Sequence, residues 1–452
     1  MRRMREAVFC FGSSDDGVPQ ILRQYRDTYR AISQVLDDNP KILAAVHEDL
    51  QVLSDGGSEG RDADYTSENI LRALIVKHKE GLTYREAVIR IGSDPFLQDF
   101  LRLRKRAVMD FTFLSKCFKA IQPQTWKRIN ELLGQYAVAQ KMIRTDVIRT
   151  DTTVVESNIH YPTDASLLWD TWRVSARTLN QAREITPGCC PHRFHSKKIK
   201  KLYLYVIRHM PSKSAKRQRQ VKAEFRKLIE RVAWMVNVVE EFCAASHSSV
   251  EVAALAADLK TYLPAMKKVV QAATRSQIEG QKVPASERVF SIFEPHTELI
   301  MRGRREKPVE FGHKTLLSET KEKFITDYEV FELQQPDCEL TEPVIVRHEK
   351  LFGKRPKVVA ADKGFCPEHK KFEALAKLIP TLAIPQRMRD FMDKALVVWQ
   401  KFRAGIEGTI SGLKRAFRLI RCFHRGFKSF SSAVGLGVFC HNLIVLTKLK
   451  SG

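Results

Sequence analysis

The spacing of apolar residues changes along the chain, and each change marks a different kind of element. From Tyr65 to about Tyr136 the apolar positions recur at helical intervals, with Ile70, Leu71, Leu74 and Ile75 on one stripe. Another helix is predicted to start at Leu82-Thr83-Tyr84-Arg85-Glu86, with Thr83 as N-cap and Glu86 completing a capping box. Helix, short turn and helix over residues 66–103 is the organisation of a helix-turn-helix; a plain bundle used for dimerisation is the alternative. Upstream, residues 1–60 read as a partly ordered lead-in with one helix around Ile21–Leu36, ending in the breaker run at 54–60.

At Val147–Ser157 β-branched residues crowd together, which favours a strand. Helical spacing then returns over about 165–280 with few strand signals, so this stretch reads as an all-helical insertion. Strand character resumes at Val289–Phe293, Val309–Leu317, Lys323–Leu333 and Lys357–Ala361. A helix is expected at Pro367–Leu378, a short strand at Thr381–Ile384, and helix over Val397–Lys450. The pattern predicts an α/β fold: a mixed sheet flanked by helices, split after its first strand. The domains expected are the lead-in (1–60), a helical DNA-binding region (61–140), a catalytic domain (141–165 with 286–430), the insertion (166–285) and a C-terminal helix (431–452).

The 452 residues are 44% hydrophobic and 28% charged, enough for a sizeable core, which argues against wholesale disorder. A net charge of +24 points to a polyanionic partner; nucleic acid suits it best, because the cations are spread through folded-looking segments. Nine cysteines without a CxxC pair suggest reduced, cytoplasmic thiols. The start has no apolar run long enough for a signal peptide, and Val434–Thr447 reads as a buried helix, so no membrane role is expected.

Three acids stand in distinctive settings. Asp151 falls inside the apolar, Thr-rich strand VIRTDTTVVES, where an uncompensated carboxylate is costly. Asp362 ends the apolar run Val358-Val359-Ala360-Ala361, just before a turn at Lys363-Gly364, where a side chain projects into a cleft. Glu407 is the sole acid between Lys401 and Lys428, among eight Lys and Arg residues. Arg403, Glu407 and Lys414 fall on roughly one helical face, so an intrahelical Arg–Glu pair is the structural alternative to metal and phosphate binding. Two carboxylates on strands and one on a helix suit a pair of hard cations over a phosphodiester.

These segments carry a resemblance. DTTVVESNIHYPTD, SIFEPHTELI, KPVEFGHKTLL, ADKGF and FRAGIEGTISGLKRAF look like the DDE transposases of bacterial insertion sequences, particularly the ISNCY group, over about Tyr65 to Leu446. The resemblance implies an RNase H-like catalytic domain with Asp151, Asp362 and Glu407 as the catalytic, metal-binding triad. It implies two Mg²⁺ or Mn²⁺ ions about 3.5–4 Å apart, flanking the scissile phosphate. Such an enzyme cuts the element ends and joins their 3′-OH to target DNA, assembled as a homodimer on terminal inverted repeats, in the bacterial cytoplasm and nucleoid. Arg403, Glu407 and Lys414 match the R-E-K part of a Y-R-E-K signature found in related transposases. The tyrosine position is Gln400 here, beside Trp399, so a stacking role there would fall to Trp399. The rivals are a metal-dependent nuclease of the same fold without strand transfer, and a non-catalytic DNA-binding descendant.

Further candidates surround the triad. Lys414, Arg415 and Arg418 are expected to contact DNA, and His313 and Lys314 to approach DNA or the metal site. The run Arg193–Lys227 holds thirteen Lys and Arg and one acid, so Lys197 and Lys198 are DNA-backbone candidates. Asp327 is a rival second aspartate, while Asn158, His160 and Asp164 either line the site or order a loop. Cys189, Cys190, His192 and His195 lack a second ligand pair at finger spacing and read as a basic loop. No Gly-rich phosphate loop supports ATP dependence.

Overall fold

A computed structural model describes residues 2–5, 17–53, 64–104, 106–302, 307–386 and 394–451; the breaker run at 54–60 lies outside them. The chain divides into two compact units, Met1–Glu156 with His313–Gly452, and Ser157–Gly312.

The first unit opens with helices α1 (Gln20–Asp38), α2 (Pro40–Gln51), α3 (Ser67–Lys79), α4 (Tyr84–Gly92), α5 (Pro95–Phe100), α6 (Phe111–Ala120) and α7 (Pro123–Ala139). Where the sequence predicts one helix near residues 21–36, there are two. Asn39-Pro40 separates them because proline has no N–H to continue α1 yet is suited to the first turn of α2. The capping box of α4 forms as predicted: the Thr83 hydroxyl accepts from the Glu86 N–H at 3.3 Å, and the Glu86 carboxylate accepts from the Thr83 N–H at 2.7 Å. A buried charge network ties α1 and α3 to the turn after α5. Arg72, wholly buried, and Arg102 both reach Glu68 and Asp37. Removing one member leaves its partner buried and unpaired, which costs far more than the pair contributes.

Strand β1 (Val147–Ser157) follows, with the predicted bounds. The second unit then holds helices α8 (Asp164–Ile185), α9 (Ser196–His209), α10 (Ala215–Ala244) and α11 (Val250–Ala273), then strand β2 (Glu298–Met301). Its helices enclose their own core of Trp172, Leu179, Phe225, Leu228, Met235, Leu259 and Met266. The predicted strand at Val289–Phe293 does not form. The Ser291 hydroxyl accepts from the backbone N–H groups of Phe293 and Glu294 instead, a local turn that competes with a strand ladder. The strand forms further on, where β2 pairs antiparallel with Val309–Gly312.

Strand β3 (Val309–Thr320) returns the chain to the first unit. There follow β4 (Ile325–Val330), helix α12 (Thr341–Phe352), β5 (Val358–Ala360), α13 (His369–Leu378), β6 (Thr381–Ala383), α14 (Lys394–Ala404), α15 (Ile406–Ala416), β7 (Arg421–Cys422) and α16 (Phe427–Ser451). Helix α12 has no counterpart in the sequence reading, and the helix predicted over Val397–Lys450 is three helices interrupted by a turn and β7. Among the described residues the strands form a mixed sheet in the order β2-β3-β1-β5-β6, with β4 on β3 and β7 on β1. The β1–β5 and β5–β6 pairs are parallel, while β3–β4 is antiparallel.

Within the first unit the sheet is covered on both faces. Ile148, Leu316 and Val359 pack with α12 and α13 residues such as Val344, Ile345 and Leu375. Val155, Leu317, Ile325 and Tyr328 join a core that runs from Tyr29 through α3 and α7 to Leu446. The helical region expected at 61–140 therefore shares its core with the sheet rather than enclosing one of its own. Helix α16 is apolar and long enough to cross a membrane, but 83% of its apolar window is buried against this core. Gly435 and Gly437 permit the close approach, since a Cβ there would fall 2.6 Å from Trp126 and 2.7 Å from Leu419.

Candidate active site

The register of the parallel strands brings the first two acids together. Val147, Ile148 and Arg149 pair with Val358, Val359 and Ala360. Two positions further along lie Asp151, still inside β1, and Asp362, just past the C-terminal end of β5, where open α/β sheets present their clefts. The Asp362 carboxylate accepts from the Gly364 N–H at 2.8 Å and so caps the turn that ends β5.

A third carboxylate joins them that sequence reasoning missed. Asp337 lies in the short turn before α12, accepting hydrogen bonds from the Thr152 hydroxyl (3.2 Å) and the Lys314 ammonium (3.1 Å). A Cβ on Gly364 would stand 3.1 Å from Asp362 Oδ1 and 3.7 Å from Asp337 Oδ2, so a side chain there would press on Asp362 and touch Asp337. No periodic signal marks Asp337 in the sequence, because it sits in the irregular run Gln334-Gln335-Pro336-Asp337. The nearby Thr-rich strand and Lys314 are the only hints.

Asp151 is 15% exposed. Burial pushes its carboxyl up to about 6; the Thr152 N–H opposes this, Asp362 adds to it, Arg403 opposes it and Asp337 adds to it. Its own Oδ1 accepts from the Thr152 N–H at 2.7 Å.

Glu407 enters from the helical side. The Arg403 guanidinium donates from Nη1 to Asp151 Oδ2 at 3.1 Å and from Nη2 to Glu407 Oε1 at 3.3 Å. One cation thus bridges the first and third acids of the expected triad. The bridge spans the break between α14 and α15, so the Arg–Glu pair anticipated within one helix forms across a bend. Gly405, at that break, makes room for Arg149: a Cβ there would lie 2.1 Å from Arg149 Nη1. Arg149 is itself fixed, bonding buried Glu319 at 2.5 Å and the Phe402 carbonyl at 2.7 Å, with its guanidinium over the Phe402 ring.

Gln400, at the position where the signature carries tyrosine, has a defined structural part. Its amide donates to the carbonyls of Ala361 (3.1 Å) and Ala383 (3.0 Å), tying α14 to the ends of β5 and β6. Trp399 packs edge-on to Phe402.

The other candidates fall in varied places. Lys314 borders the acids through Asp337. His313 has no exposed surface to offer DNA or a metal: it is fully buried between Phe427 and Phe430, with Nδ1 2.9 Å from the Phe331 carbonyl. Lys414 is half-buried, whereas Arg415 and Arg418 are exposed. Asp327 is engaged by Arg347 of α12 at 2.7 Å. In the second unit Lys197 and Lys198 are exposed at the start of α9. There Asp164 accepts from Ser276, Gln277 and Arg288, and His160 pairs with Asp170 at 2.6 Å, both ordering their own unit. Asn158 is exposed. Cys190 is buried in the helical core and His192 lies against Trp234.

The donor set tests the implied metal. Asp151, Asp362 and Asp337 offer oxygen alone, as Mg²⁺ requires, and the raised Asp151 carboxyl lacks full cationic compensation. Glu407 does not share this cluster: its side chain is 66% exposed and held by Arg403. Among the described residues no three His, Cys, Asp or Glu side chains converge tightly enough for one ion. The Asp151–Asp362 pair fits a hard cation, and the third arm stands apart. Comparison with protein-family models, curated proteins and solved structures finds no match.

Proposed function

We propose that this chain is a DNA transposase of the DDE kind, which cuts the ends of an insertion sequence and joins their 3′-OH to target DNA. The observation that carries the reading is the meeting of Asp151 and Asp362 from two neighbouring parallel strands, with Glu407 linked to Asp151 through Arg403. A first strand central in the mixed sheet, an antiparallel pair on one side and parallel strands on the other support an RNase H-like catalytic unit.

Asp151 and Asp362 are the residues that would hold Mg²⁺ or Mn²⁺, and Glu407 would complete the set only on leaving Arg403. The bound ions would supply an activated water or 3′-OH and stabilise the leaving oxygen. The chain's own groups have separate tasks. Arg403 ties Asp151 to Glu407 and is placed to meet a phosphate. Lys314 holds Asp337 beside Thr152, and Gln400 fixes α14 over the strand ends. Exposed Arg415, Arg418, Lys197 and Lys198 suit DNA-backbone contact, and the helix-turn-helix-like pair α3–α4 suits recognition of the element ends.

The test is a strand-transfer assay with Mg²⁺, using a duplex of the sequence flanking the gene, pre-cut to expose its 3′-OH. The expected outcome is joining of that end to a target plasmid. Cleavage of uncut ends without joining would identify a nuclease, and binding without either reaction a non-catalytic DNA-binding protein.

A further inference from the structure

A second cluster of charge in the first unit has the opposite sign. A cavity of about 390 Å³ opens between α3, α4 and α6 on one side and the chain between α15 and α16 on the other. Its lining includes Lys77, Lys119, Arg418 and Arg425 and no acid. Among the described residues none of these four cations stands in an ion pair. Lys77 is the most enclosed: burial and then Arg418 bring its ammonium down to about 8, and Nζ lies 4.6 Å from the centre of the Tyr84 ring.

Two further observations say what the cavity lacks. The Tyr84 hydroxyl is shielded from solvent and has no hydrogen-bond partner, an arrangement that is unfavourable unless a polar group supplies the bond. Arg418 lines the cavity from a left-handed turn after α15 (φ +53°). At the mouth Phe423 is 66% exposed, a large ring presented to solvent beside cations. The missing occupant must bring negative charge, hydrogen-bonding atoms and a flat face for aromatic rings, and pockets for such ligands run from about 300 to 1,000 Å³.

We infer that this cavity binds a nucleoside 5′-phosphate, its phosphate on Lys77 and Arg418 and its base against Tyr84 and Phe423, either as a free nucleotide or as one nucleotide of a DNA strand. Binding here is independent of the proposed transposase chemistry and is read without metal or cleavage.

Calorimetry on the full chain without divalent ions tests it. In the first arm dAMP is compared with deoxyribose 5-phosphate. The expected result is about tenfold tighter binding of dAMP, the scale of one base–aromatic stack. Lys77→Met removes the charge and keeps the buried stem. It is expected to weaken dAMP about tenfold while the Tm stays level or rises, whereas a structural lysine would lower it. The second arm uses a 5′-phosphorylated single strand with and without its terminal base. A base effect that depends on Lys77 with dAMP assigns a free nucleotide; one confined to the oligonucleotide assigns a strand nucleotide. Loss of the base effect or of the Lys77 effect in both arms overturns the inference.

Discussion

Arg149 and Asp151 lie two positions apart on β1 and so face the same side of the sheet, yet their charges meet opposite circumstances. Arg149 meets a buried carboxylate on Glu319, the Phe402 carbonyl and the face of the Phe402 ring. Asp151 is nearly as buried but has two further acids beside it and only one arm of Arg403 in return. A cation paired with a single buried carboxylate is a structural element, whereas a buried carboxylate crowded by two further acids is a candidate for ligand binding.

The comparison breaks most sharply at Arg149. Arg149→Met leaves Glu319 buried without its cation, and stability should fall by about 3–5 kcal/mol in urea unfolding. A loss under 1 kcal/mol would show that the pair does little for the fold.

Asp151→Asn should act in the opposite direction. In the unfolded chain the carboxyl ionises near 3.8 and in the folded protein near 6. Between those values the unfolded state has released a proton that the folded state retains, so wild-type stability falls as pH rises through the window. The deficit is complete above about pH 6, where it amounts to roughly 3 kcal/mol. In chelator, Asp151→Asn should therefore be more stable than wild type at pH 7 and equal to it near pH 3. An Asn variant that is less stable at pH 7 would make Asp151 a structural residue like Arg149.

The smallest expected effect is at Gln400. Gln400→Leu removes two hydrogen bonds to strand-end carbonyls and should cost about 1–2 kcal/mol. Its diagnostic feature is a larger loss of DNA cleavage than of stability, because α14 carries Arg403. Unchanged cleavage would separate the seating of α14 from the site.

Much of this contrast was legible in the chain. The β-branched run fixes the bounds of β1, and the end of an apolar run before Lys363-Gly364 places Asp362. The i, i+4 spacing anticipates the Arg403–Glu407 pair. What escaped depends on long-range placement. Asp337 comes from an irregular turn, and its proximity to Asp151 exists only once β3, β1 and β5 are side by side. His313 shares its strand face with Phe311 and Leu317, and α16 covers it there. The signature position at Gln400 gave no hint of its two carbonyl partners, which come from separate strands. Arg403 reads in sequence as a phosphate contact, and only the fold shows it spanning Asp151 and Glu407.

The central claim is that Asp151 and Asp362 form a metal-dependent site for cutting and joining DNA. Its most direct test is Mg²⁺-dependent cleavage of the DNA flanking the gene by wild type and by Asp362→Asn, with folding checked by circular dichroism. The account predicts cleavage by wild type that vanishes in chelator, and a folded Asp362→Asn protein reduced by on the order of a hundredfold or more. Full cleavage by a folded Asp362→Asn variant would contradict it.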